Sequence, residues 1–596
     1  MQESGQEVGQ KIRQPTEQPS AGKIGCSVGM VGVGVLLSWM LGATAAAAAG
    51  QAVELAQTVP PQVAPTQPER NRLLTPTLPP TPLSSEEQAP ILSSPDDFPQ
   101  PLPTDETVQI PIRQIEVRDS SVFTEADFAP IVQPYEGRSL TLAELREIAD
   151  QLTQLYLDQG YLTSRAILGD QLVADGVIQY RIVEGSLERI EVEGTNRLNP
   201  DYVRSRILLG ATTPFNQARL EDQLRLLRLN PLFETVEASL RAGSGLGQSI
   251  LVVRVSEARP VSGFVSADNY SPPGVGSERL GLGLVARNLT GWGDELSGTY
   301  YRSTTGGSSS FDFAYRLSLN PMDGTVQIRY APSEYRITDP SFVDLDLSGS
   351  ADEYELSFRQ PLLRTPREEF ALSLSLLHRD GSSFFSDNRF FEDLLLKSES
   401  TSMIGFGQDL VRRDASGAWA LQSLLNVGVG LLDADVGGDR DSLFFYWLGR
   451  VQRVQILQPG NLLILQADVQ LSADTLPSSQ QLAIGGGQSL RGYRQNAVLG
   501  DSGFRLSAED RITLGRNEAG ESVFQVAPFV DAGTVWLNGD DDGDSPFLLG
   551  AGVGLLWEAL PRLNLRLDFA IPITEFENKG ENAQDRGFYF SVDYRF

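Results

Sequence analysis

The sequence predicts a signal peptide and a proline-rich linker, then two tandem α+β modules, then a 16-stranded antiparallel transmembrane β-barrel. Three observations lead there. An apolar leader opens the chain. A unit of about 75 residues recurs between 108 and 258. From about 261 onward, long segments alternate apolar and polar side chains with a period of two.

Composition narrows the chemistry before any element is placed. The 596 residues carry 77 acidic and 48 basic side chains, a formal charge of −29. A nucleic-acid binder needs a basic footprint to displace counterions, so no nucleic-acid partner is expected. There is one cysteine, Cys26, and one histidine, His378. That pair cannot build the usual zinc site, a disulfide or a Cys–His nucleophile, and no metal or cofactor is expected. A serine hydrolase would have to use His378. It lies in phase with Phe370, Leu372, Leu374 and Leu376, which places it near the rim on the outward face of a strand. The chain is therefore not expected to be an enzyme.

Residues 1–49 predict a signal peptide. Lys11, Arg13 and Lys23 precede the apolar run "VGMVGVGVLLSWMLG" (28–42), and small residues follow it. The run is glycine-interrupted and shorter than the ~20 residues that a spanning helix needs. Residues 50–107 predict a linker. Thirteen of the 35 prolines fall between Pro60 and Pro103, where missing donors and fixed torsions prevent a packed core.

The repeat predicts two modules, 108–185 and 186–259. "IRQIEVRDSS" matches "LERIEVEGTN", and "VIQYRIVEG" matches "ILVVRVSEA". Each unit reads strand, helix, longer helix, strand, strand. In the first long helix Leu142, Leu145, Ile148, Ala149, Leu152 and Tyr156 recur at helical spacing, a stripe for packing on a small sheet. Neither unit clusters acids or bases as a catalyst would.

Residues 260–596 predict the barrel. Phe311, Phe313, Tyr315, Leu317 and Leu319 face one way, and Asp312, Ala314, Arg316 and Ser318 the other. Similar alternation places Asp468, Gln470, Arg566 and Asp568 on the polar, lumen side. Short turns, such as "TGWGD" (290–294) and "NPMDG" (320–324), alternate with longer loops expected near 332–349, 379–398, 431–441, 474–500 and 533–545. Short turns at one end and long loops at the other are what an outer-membrane barrel shows. The last strand, "RGFYFSVDYRF", puts Phe588, Phe590, Val592, Tyr594 and the terminal Phe596 on its lipid face.

One loop stands apart. "GGGQSLRGY" (485–493) holds a single arginine between glycines and an aromatic residue. A phosphate-binding loop would need Lys and Ser/Thr where Tyr493 and Arg494 stand, with a helix to follow, and neither is present. Leu490-Arg491-Gly492-Tyr493 is followed further along by Phe529-Val530-Asp531. Parity sends Phe524, Val526 and Val530 outward and Gln525 and Asp531 inward. Pro528 has no N–H to give and predicts a local break in pairing.

With these parts in order, the chain resembles the two-partner-secretion transporters, the hemolysin secretion/activation branch of the Omp85 superfamily. Leu490-Arg491-Gly492-Tyr493 is similar to that family's [VIL]-R-G-[YF] motif, and Phe529-Val530-Asp531 to its F-x-D element. The resemblance implies that 108–185 and 186–259 are POTRA modules, and that the arginine loop folds back into the lumen with Arg491 paired to Asp531. It implies an outer-membrane pore with its modules in the periplasm, where they bind a large secreted exoprotein. The other partners it implies are outer-membrane lipid and the barrel-assembly machinery that inserts the barrel. Phe588, Phe590 and Phe596 would form the terminal strand signal. An Omp85-type insertase shares every one of these motifs, and two modules where insertases usually carry more favour secretion. A passive porin would need neither the modules nor the arginine loop.

Overall fold

The computed structural model describes residues 92–93 and 109–596, except 170, 172–174, 341–345, 387–392, 433, 435–441, 540–544 and 577–579. The expected signal peptide, and the expected linker but for two residues, lie outside the described residues. Those two are Leu92–Ser93, strand β1, inside the segment expected to be a spacer.

The first module contains β2 (Gln109–Pro111), β3 (Gln114–Arg118), α1 (Glu125–Val132), β4 (Ser139–Thr141), α2 (Leu142–Asp158), β5 (Arg165–Leu168) and β6 (Val177–Val183). Helix α2 starts where the sequence supplies a capping box. The Thr141 hydroxyl accepts the Glu144 N–H, and the Glu144 carboxylate accepts the Thr141 N–H at 2.7 Å. Leu145, Ile148, Ala149, Leu152 and Tyr156 are buried on a sheet ordered β3-β6-β5. Tyr180 of β6 ties sheet to helix by donating to the Leu145 carbonyl at 2.7 Å.

The second module contains β7 (Ser186–Glu193), α3 (Pro200–Leu208), α4 (Gln217–Arg228), β8 (Phe233–Ala242) and β9 (Gln248–Glu257). Asn199 and Asn216 cap the two helices, and Pro200 occupies the first helical turn, where its missing N–H costs nothing. Leu220, Leu224 and Leu227 pack on Val236, Leu251 and Val253. The sheet order is β1-β8-β9-β7, with Leu92 opposite Ala238 and Ser93 opposite Ser239. The linker therefore adds a short parallel strand to the edge of this module and is not a spacer throughout.

Sixteen antiparallel strands then close on themselves, the first (Val261–Asp268) pairing with the last (Phe588–Arg595). Closure leaves no unpaired edge in a medium that offers no hydrogen bonds. The parity is as read from the sequence: Leu280, Leu282, Leu284, Phe311 and Phe313 are exposed on the outside, while Arg329, Asp468 and Asp531 are buried within. Strand lengths differ from expectation. The seventh (Glu368–Ser386) and eighth (Asp393–Asp414) run for 19 and 22 residues. The loop expected at 379–398 is therefore mostly strand, because a ladder that continues past the ~10 residues a bilayer requires keeps its backbone groups paired. Between the twelfth (Ser502–Arg516) and thirteenth (Ser522–Trp536) strands the ladder runs to Glu509–Phe529 and resumes at Ile512–Val526. Pro528 lies in that gap.

Two short turns hold the second module against the barrel. The Asn199 N–H donates to the Gly291 carbonyl at 2.9 Å. Arg206 of α3, itself buried, donates to Ser318 Oγ at 2.6 Å and pairs with Asp323 at 3.2 Å. Its guanidinium also lies 3.4 Å from the centre of the Tyr202 ring. The second module thus sits at the short-turn end.

Candidate functional site

The segment between the eleventh strand (Asn461–Ser472) and the twelfth returns along the inner wall. A small hairpin, Leu482–Ile484 with Val498–Gly500, forms its neck. Leu490 is fully buried among Leu482, Ile484, Val498, Val535 and Leu548. Two glycines make the close approach possible. Gly492 has φ +104°, which side-chain-bearing residues rarely adopt. At Gly550, on the fourteenth strand (Leu548–Leu560), a Cβ would lie 1.9 Å from the Arg491 carbonyl oxygen.

Arg491 is 5% exposed and Asp531 is 0% exposed. Arg491 Nε donates to Asp531 Oδ2 at 2.7 Å and Nη2 to Oδ1 at 2.9 Å, the bidentate fork that a guanidinium and a carboxylate allow. The Arg491 backbone N–H adds a third bond to the same carboxylate at 3.1 Å. Nη1 donates to Glu509 at 2.7 Å, and the guanidinium carbon lies 3.3 Å from the centre of the Phe529 ring. Phe529 and Asp531 share a strand face, so one three-residue element supplies both a ring and a charge.

The pair is part of a larger hub. Arg511 and Arg566 both reach Glu509, at 2.7 and 2.6 Å, and Arg566 Nε donates to Asp568 at 2.6 Å. Arg491 lies 3.6 Å from Asp568, and Ser507 donates to Asp531 at 2.6 Å. Three arginines thus meet three carboxylates on the twelfth, thirteenth and fifteenth (Leu563–Pro572) strands and the loop. The charges balance, which is what permits their burial.

Further contacts tie the loop to both ends of the barrel ladder. The buried Tyr589 hydroxyl accepts the Gly492 N–H at 2.9 Å and donates to the Tyr493 carbonyl at 2.6 Å. The Tyr493 hydroxyl sits within 3 Å of the Leu549 and Thr574 carbonyls. Gln584 accepts the Gln495 N–H at 2.9 Å and donates to the Asn269 and Ser271 carbonyls beyond the first strand. Arg494 pairs with Asp585. Arg505, itself paired with Asp468, donates to the Gln488 carbonyl at 2.9 Å.

The structure thus brings Leu490, Arg491, Gly492 and Tyr493 together with Phe529 and Asp531. Phe588 and Phe596 are exposed on the outer face and Phe590 is half-buried beside Phe588, all away from the hub. His378 accepts from or donates to Ser402 at 2.9 Å and stacks on Tyr354, in the outward row. Sequence reading passed over Tyr589. Its parity opposite Phe588 and Phe590 was the available signal, since it puts a phenol on the inner face.

The chain as a whole is similar to known proteins. The family model described as "Haemolysin secretion/activation protein ShlB/FhaC/HecB" matches residues 247–556, and the "POTRA domain, ShlB-type" model matches 110–185. The heme/hemopexin transporter protein HuxB of Haemophilus influenzae is 24% identical over 505 residues, covering 81% of this chain and 87% of that protein. An outer membrane transporter CdiB of Escherichia coli is 27% identical over 474 residues, covering 74% and 76%. The solved structure of CdiB from Escherichia coli superposes with a TM-score of 0.66 at 23% identity, covering 85% of this chain and 94% of that one. CdiB from Acinetobacter baumannii gives 0.59 at 16% identity, covering 93% and 100%.

Proposed function

This chain belongs to the haemolysin secretion/activation protein family, ShlB/FhaC/HecB, and from that premise we propose that it is an outer-membrane pore exporting a large partner protein by two-partner secretion. The observation that carries the reading is the attachment of the second module, through Arg206 and Asn199, to the short-turn rim of a closed barrel. A chain held by the modules is delivered to the lumen mouth.

The modules, 108–185 and 186–259, act in the periplasm. They bind the extended N-terminal part of the exoprotein by strand addition at an exposed sheet edge, a mode that takes affinity from backbone groups and specificity from alternate side chains. The partner then crosses the lumen as an extended chain, and its folding outside gives the direction. The loop 485–497, fixed by Arg491 on Asp531, supports the conducting state of the pore. The barrel-assembly machinery inserts the barrel, with Phe588, Phe590 and Phe596 as the terminal signal.

Deleting the gene tests the reading. One large extracellular protein is expected to disappear while other outer-membrane barrels keep their abundance. A general fall in barrels would instead mark an insertase.

A further inference from the structure

Between the second module and the barrel rim lies a cavity of about 630 Å³. One wall is the end of α4 and the turn after it, with Leu226, Leu229 and Leu232 turned toward the cavity, Leu229 being 42% exposed. The opposite wall is the lumen face of barrel strands at their short-turn ends. Five arginines and four carboxylates line the cavity, in a chain whose acids outnumber its bases by 77 to 48. The local ratio is reversed.

The pairing leaves cation to spare. Glu295 is shared by Arg287 at 2.9 Å and Arg316 at 2.8 Å. Glu369 is shared by Arg359 at 2.7 Å and Arg364 at 3.4 Å, Asp323 by Arg364 at 3.0 Å and Arg206 at 3.2 Å, and Arg359 also reaches Asp409 at 3.4 Å. Asp294, the fourth carboxylate, is turned to the Thr290 and Tyr315 hydroxyls. Arg413 has no carboxylate within salt-bridge distance among the described residues. Its Nη1 reaches only the Pro366 carbonyl, at 3.4 Å, and its buried Nε has no hydrogen-bond partner. A guanidinium without a counter-charge is a standing attraction for a carboxylate.

We propose that this cavity is a vestibule where an acidic, amphipathic stretch of the exported polypeptide docks in extended form before entering the lumen. In a strand, successive side chains point to opposite faces. A stretch with carboxylates on one face and apolar residues on the other would set the first against Arg316 and Arg413. The second would lie on Leu226, Leu229 and Leu232. Arg316 is half exposed and Arg413 is unpaired, so incoming carboxylates bind without breaking an existing pair. The chemistry also rejects a basic stretch, because like charges brought together at an interface repel.

The proposal rests on the export reading and is tested apart from it, by binding in solution. A fluorescein-labelled peptide of alternating Glu and Val is titrated with the detergent-purified full-length protein, beside its Lys/Val counterpart, with anisotropy as the readout. The Glu peptide is expected to bind at least about tenfold more tightly than the Lys peptide, and less tightly as salt rises. Arg316→Glu with Arg413→Glu is expected to abolish that preference, and Arg316→Lys with Arg413→Lys to retain it. Equal binding of the two peptides to the unaltered protein would overturn the vestibule, whatever the variants do. Glu-peptide binding unchanged in a folded charge-reversed variant would overturn it as well. Either result leaves the export reading standing, because gene deletion reads that independently.

Discussion

Arg491 shows how much one side chain can hold when its partners are dry. Its fork, its backbone N–H and Nη1 satisfy both oxygens of Asp531 and one of Glu509. Arg491→Ala leaves those carboxylates buried with a cation missing, and breaking one side of such a pair typically costs about 3–5 kcal/mol. The wall itself is a hydrogen-bonded ladder that does not use Arg491. The variant is therefore expected to insert as a barrel and to lose most export, measured as exoprotein in the medium; normal export would refute the role. Tyr589 makes a subtler test. Tyr589→Phe keeps the ring but strands the Gly492 N–H and the Tyr493 carbonyl, at about 1–3 kcal/mol for each buried group left unmade. Hydrogen exchange across 490–494 should quicken in that variant, and an unaltered rate would mean the hydroxyl does not hold the loop.

Elements were legible in the sequence to the extent that period and caps dictate them. The stripe Leu145–Tyr156 and the Thr141–Glu144 box specify α2, and alternation specifies which side chains face the lumen. Parity gives a side but not a height. That Glu509 and Asp568 stand level with Asp531 depends on how neighbouring strands are staggered, which no single strand records. The strand Leu92–Ser93 was illegible for another reason: two residues in a proline-rich run carry no period. The turn 196–198 offers a test at this scale. Burial pushes the Glu257 carboxyl up, but three N–H donors, from Asn196, Arg197 and Leu198 at 2.7 to 2.9 Å, outweigh it and hold the group below the ordinary value of 4.5. A depressed carboxyl stabilises the fold fully above that value, and the contribution fades as pH falls through the folded pKa. Glu257→Gln should lower the melting temperature of the second module at pH ~7, and the gap from the unaltered protein should narrow below pH ~4.5. A gap that persists in acid would assign the effect to shape and not to charge.

At the scale of the molecule, the proposed delivery of a chain from module to lumen needs the two held in a fixed relation. Arg206 is the group most committed to it. It is buried, lies on the Tyr202 ring, and reaches Ser318 and Asp323 on the barrel, while Asp323 is shared with Arg364. Arg206→Ala removes that cation and leaves Asp323 to Arg364, so the barrel turn stays charge-balanced while the module loses its buried tie. The module's own core, built on Leu220, Leu224 and Val253, does not include Arg206 and should stay folded. The sequence makes the measurement simple. It has one cysteine, Cys26, so in a Cys26→Ser background introduced cysteines would be the only thiols. Spin labels at Glu237 on β8 and Glu518 in a short barrel turn, both exposed, report the distance between module and barrel. That distribution should be narrow in the otherwise unaltered protein and broader in Arg206→Ala, with export reduced in step. An unbroadened distribution would show that the remaining contacts, the Asn199–Gly291 bond foremost, fix the module by themselves.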